Sequence, residues 1–232
     1  MNTRAYVAEL LGTFLFFGIG YLSVAAFGGT AGVPGLLVVP FSFGFGLLAA
    51  IFAFGHVSGG HFNPAVTIAA VIDGRTSVQD AAGYIVAQVV GAIAAGLFVL
   101  IAISQDAVAA GTTLPGDGVS EIGALIIEIV LAAGFIVVIL AATTHARALA
   151  PLAIPLALVA IHFAAATLSG ASVNPARSLG SALVGGNLDS IWIYLVGPTI
   201  GGVLGALVYR FAASEAMEPS GPTEAPAGGS AA

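Results

Sequence analysis

Along most of the chain the apolar positions run on continuously, with neither the alternation of a half-buried strand nor the one-sided stripe of a soluble helix. Six stretches are long enough to cross a bilayer: Ala5 to Ala26, Leu36 to Phe54, Asp80 to Ile103, Glu121 to Ala142, Pro151 to Leu168 and Ile191 to Ala212. Two polar interruptions break the pattern. Ser58-Gly59-Gly60-His61-Phe62-Asn63-Pro64-Ala65 and Ser169-Gly170-Ala171-Ser172-Val173-Asn174-Pro175-Ala176 both read Ser-Gly-x-x-x-Asn-Pro-Ala. Asn is a favoured N-cap, and Pro suits the first helical position because its missing N–H would have had no partner there. The runs that follow, Ala65 to Ile72 and Ser178 to Val184, are too short to span. About ten residues at ~1.5 Å each give roughly 15 Å, half of the ~30 Å hydrocarbon core. Each is predicted to be a half-helix.

A polar loop, Ser104 to Ser120, divides the chain into halves with three spans and one half-helix each. Three is odd, so the second half enters the membrane from the opposite side. The half-helices then dip in from opposite faces, and their Asn-Pro-Ala starts meet near the middle. This predicts an all-α membrane protein with an inverted repeat of three spans plus three. The channel domain is expected over residues 1–213, with repeats at about 1–105 and 119–213 and a linking loop at 106–118. Residues 214–232, rich in Glu, Pro, Ser, Gly and Ala, read as a disordered tail.

Composition agrees with a membrane location. Hydrophobic residues make up 59% of the chain and charged residues 7%, where a soluble domain carries about a quarter charged. The mean hydropathy is +1.08. The formal charge of −6 overstates any acidic surface, since Glu215, Glu218 and Glu224 fall at or near the tail. Nothing basic suggests nucleic acid. With no cysteine, disulfides, thiolate metal sites and Cys nucleophiles are excluded. Arg4 precedes a long apolar run without a small-residue cleavage site, so the first span is expected to be retained. Arg4, Arg75, Arg147 and Arg210 fall on the side of both termini, which the positive-inside rule puts in the cytoplasm. Arg177 alone breaks that pattern and needs another reason.

Non-helical backbone at membrane depth is tolerated only in protein or beside a wet cavity, so the two polar loops imply a water-accessible path. Two helix N-termini meeting there place about +0.5 charge each at its centre and repel cations. The amides of Asn63 and Asn174 can donate to one passing oxygen. A water so held points its hydrogens outward, which disfavours a proton wire. Arg177 stays charged and must face a polar cavity. His162, in the apolar run Leu156 to Phe163, faces either that cavity or a helix–helix contact. Glu9 and Glu128 lie at the same place in each half, as a proton relay or as buried structural acceptors.

Paired Asn-Pro-Ala-Val and Asn-Pro-Ala-Arg on six spans resembles the aquaporin family (major intrinsic proteins) over residues 4 to 212. Gly55 to Thr67 is especially similar to the bacterial water channels. The resemblance implies a homotetramer in the cell membrane, one pore per subunit, with water as permeant and no cofactor, metal or catalytic residue. The pore motifs are then Asn63, Pro64, Ala65, Asn174, Pro175 and Ala176. By spacing, the family's selectivity filter falls on Phe43, His162, Ala171 and Arg177. Glu9 and Glu128, with Gln88, become supports of the two re-entrant loops. His56 and His61 are expected to order the loop beside the first motif, and His145 to be exposed in a loop.

Some positions separate water channels from glycerol facilitators. Phe43 and His162 narrow the opening to about one water, where the glycerol branch has Trp and Gly. Ser178 stands where that branch carries Asp, and Ala182 where it carries a basic residue. Tyr194 is of the water-channel kind. Ala171, in place of Thr or Cys, and Leu195, in place of Trp, lean the other way. The leading expectation is therefore a passive water channel, and the alternative a channel that also passes glycerol or ammonia. An ion-coupled transporter would need an ionisable group at the midplane. An intramembrane hydrolase would need Ser169 or Ser172 paired with His162.

Overall fold

The structure is a computed structural model, and it describes residues 2–28 and 33–215. It contains nine helices among the described residues and no strand. Five are long and apolar enough to cross a membrane: α1 (Thr3–Phe27), α2 (Val33–Ser58), α4 (Val78–Ala102), α6 (Glu121–His145) and α9 (Ile191–Glu215). The sixth expected span is α7 (Ala150–Ala165), 16 residues long. At ~1.5 Å per residue it covers roughly 24 Å, less than a full core. One further turn follows it, in which Leu168 and Ser169 donate to Ala165.

The half-helices are α3 (Pro64–Ile72) and α8 (Pro175–Gly185). Asn63 and Asn174 cap them in extended backbone, and proline opens each. Ser77 and Ser120 cap α4 and α6 in the same way. Three expectations are corrected. The linker is not all loop: Ser104 caps a short α5 (Gln105–Ala109). Helix α2 runs on to Ser58 rather than stopping near Phe54, so His56 lies in its last turn and not in a loop. His145 is exposed as expected, but it closes α6 and meets the Tyr209 ring at 6.5 Å. The expected disordered tail falls largely at 216–232, outside the described residues.

In the first half α1 packs against both α2 and α4, and in the second α6 packs most extensively against α9. Small residues set the distance: a Cβ on Gly201 of α9 would meet the Ile129 carbonyl of α6 at 2.5 Å, and one on Gly91 would collide with the Leu10 carbonyl of α1. The half-helices then cross over. Helix α3 packs mainly on α9 of the second half, and α8 on α4 of the first. Many apolar side chains are left exposed, among them Val86, Ile101, Val130 and Phe211, as a lipid-facing surface requires.

Candidate functional site

The two Asn-Pro-Ala segments meet tip to tip. Each asparagine does two jobs with one amide. The Oδ1 of Asn63 accepts from the Ala65 N–H at 2.8 Å, and its Nδ2 donates to the Val173 carbonyl at 2.9 Å. Asn174 mirrors it: Oδ1 accepts from Ala176 and Arg177, and Nδ2 donates to the Phe62 carbonyl at 2.9 Å. One N–H of each amide is thereby committed, leaving one per side chain to serve a permeant.

Behind each loop stands a fully buried carboxylate. Glu9 accepts from Ser58 Oγ, the N–H groups of His61 and Phe62, and Gln88 Nε2, at 2.6–2.9 Å. Glu128 accepts from Ser169 Oγ and the N–H groups of Ser172 and Val173, at 2.7–2.9 Å. These acceptors are what left-handed backbone requires. Phe62 and Val173 sit at φ of 47° and 43°, Gly60 and Ala171 at 68° and 45°, and such loops cannot satisfy their own N–H groups. Neither glutamate lines the cavity described next, which speaks against ion coupling through them.

A cavity of about 710 Å³ starts beside Arg75 and Arg147, passes Asn63 and Asn174, and ends at Phe43, His162 and Arg177. Its middle wall is apolar, from Val66, Ile136 and Ile154 among others. At the far end the Phe43 and His162 rings stack with centroids 4.6 Å apart. The Arg177 guanidinium lies 5.2 Å from the Phe43 ring centre, and its Nη1 donates to the Gly111 carbonyl at 2.7 Å. Two buried atoms at this constriction, His162 Nε2 and Arg177 Nε, have no hydrogen-bond partner among the described residues. Such groups are costly unless something polar visits them.

Ala171 is fully buried and lies outside the cavity wall, which its neighbours Ser172 and Val173 join instead. Leu195 is 37% exposed and also off the cavity, so it bears on the surface of α9. His56 and His61 both line the cavity. His61 also pairs with Thr67 at 3.1 Å and packs edge-on against Tyr84. No serine–histidine pair of a hydrolase forms among the described residues. His162 Nδ1 turns to the Leu158 carbonyl, while Ser169 and Ser172 hold Glu128, Asn174 and Ser178.

Sequence reasoning missed the partners that come from afar. Gly111 reaches Arg177 from the linker, and Tyr21 donates its hydroxyl to the Arg177 carbonyl.

Comparison with known proteins bears on all of this. The family model described as Major intrinsic protein matches residues 1–209. Aquaporin Z of Rhodopseudomonas palustris is 41% identical, over 97% of this chain and 98% of its own. The probable aquaporin TIP3-2 of Arabidopsis thaliana is 40% identical, over 90% of this chain and 84% of its own. The solved structure of the aquaglyceroporin from Plasmodium falciparum matches with a TM-score of 0.84, over 93% of this chain and 98% of its own. At 23% identity that match speaks for the fold alone.

Proposed function

The chain belongs to the major intrinsic protein family, and from that premise we propose that it is a passive transmembrane channel conducting water down an osmotic gradient while excluding protons and ions. The observation that carries this is the single cavity running past both asparagine amides to the unpartnered His162 Nε2 and Arg177 Nε. In the middle, apolar walls give a water few competing partners, and the free N–H of each amide takes its oxygen. Both helix N-termini point positive charge at that spot, about half an elementary charge each, so a cation is repelled and the water's hydrogens face away. At the constriction Phe43 and His162 limit size, and Arg177 offers donors while repelling cations. Ala171 adds no bulk there.

The pore motifs, the filter of Phe43, His162, Ala171 and Arg177, and the supports Glu9, Glu128 and Gln88 are part of this reading. So are a channel domain over residues 1–213, a homotetramer in the plasma or inner membrane, and both termini on the cytoplasmic side. Transport of this kind involves no chemical step. The arginine pattern supports the orientation: Arg75 and Arg147 flank the same cavity mouth, and Arg210 donates to Ile72 at the nearby end of α3.

Stopped-flow light scattering on proteoliposomes tests the reading, with a sucrose gradient set against a glycerol gradient. Fast water efflux and slow glycerol re-entry are expected. Rapid glycerol entry would replace water selectivity with the broader neutral-solute channel.

A further inference from the structure

In both halves a hydroxyl four residues past the capping asparagine is tied to a residue outside the loop, but the two ties differ in kind. Thr67 accepts from Gln88 Nε2 at 2.9 Å, and Gln88 belongs to the regular helix α4. Ser178, its counterpart, meets Thr113 at 2.6 Å, and Thr113 belongs to the linker. The same linker supplies the Gly111 carbonyl to Arg177, and Gly116 donates to Leu168 at 2.8 Å. A Cβ built on Gly170 would stand 3.0 Å from Thr113 Cα, so Thr113 abuts the loop itself.

The direction of the hydroxyl chain follows from its end. Ser172 Oγ donates its single proton to the Asn174 carbonyl at 2.9 Å. The 2.6 Å contact between Ser172 and Ser178 therefore has Ser178 as donor, and the contact of Ser178 with Thr113 has Thr113 as donor. Thr113, 1% exposed, heads a chain that ends on the residue capping α8.

We infer that Thr113 is a positioning residue of the filter: through Ser178 and Ser172 its hydroxyl holds the backbone carrying Arg177 and Asn174, and so helps set which solutes are admitted. The inference rests on the channel reading above. A valine methyl cannot approach Ser178 Oγ to 2.6 Å. A carbon–oxygen contact needs roughly 3.3–3.6 Å, so Thr113→Val pushes Ser178, and Arg177 beside it, away from the linker.

The test uses full-length protein in proteoliposomes, with water and glycerol permeabilities measured on the same preparation and thermal midpoints recorded alongside. Thr113→Val is expected to raise the glycerol-to-water ratio roughly fivefold, the scale of one lost buried hydrogen bond. Thr113→Ser, which keeps the donor, restores the wild-type ratio. Ser178→Ala cuts the same link from its other end and raises the ratio likewise. An unchanged ratio in Thr113→Val and Ser178→Ala overturns the inference. So does a proportional loss of both fluxes that Thr113→Ser fails to rescue. A wild type that carries no water overturns the channel reading itself, and the wild-type control separates that failure from the others.

Discussion

Glu9 and Glu128 face the same task with unequal help. Four donors converge on Glu9, including the Gln88 amide, and three on Glu128. Removing either carboxylate leaves those donors buried and bare, at about 1–3 kcal/mol for each one that finds no substitute. Glu9→Ala and Glu128→Ala should therefore both lower the thermal midpoint in detergent, Glu9→Ala by more. Equal midpoints for wild type and both variants would show that the carboxylates do not hold the loops. The residues alone left these two open between proton relay and loop support, and the family resemblance chose support. Their saturation by donors, and their absence from the cavity lining, favour support. Arg177 was legible as the one arginine out of place, but its anchor, the Gly111 carbonyl, was not. A backbone carbonyl in a linker carries no side-chain signature.

At the level of elements, the half-helices were readable because Asn, Pro and a short apolar run are each local signals. Helix α5 was not, although Ser104 followed by Gln105 and Asp106 is a weak start signal. Contacts between elements are harder to read, since glycine patterns suggest close approach without naming the partner. The crossing of α6 and α9 gives a direct check. Gly201→Leu forces a side chain against the Ile129 carbonyl and the Ala132 Cβ, an overpacking that costs about 1–3 kcal/mol or more. At this chain length each kcal/mol moves the midpoint by about 2–4 °C. Gly134→Leu on α6 enters open space and is the matched control. Thermal unfolding should separate the two variants, and a Gly201→Leu midpoint equal to that of Gly134→Leu would mean that the helices are not packed as described.

For the whole molecule, the inverted repeat turns two ordinary caps into one site. Because α3 packs on α9 and α8 on α4, each half completes the wall around the other's polar loop. The asparagine amides then interlock across the repeat boundary, which no local pattern could announce. Such an arrangement is expected to pass water and stop protons. The most direct measurement records osmotic efflux and internal pH together in proteoliposomes, across a range of temperatures, for wild type and Arg177→Val. Wild-type efflux is expected to be faster and less temperature-dependent than in protein-free vesicles, with a proton leak no higher than theirs, and the leak is expected to rise in Arg177→Val. Wild-type efflux at the protein-free rate, or a wild-type proton leak above the protein-free level, would contradict this expectation.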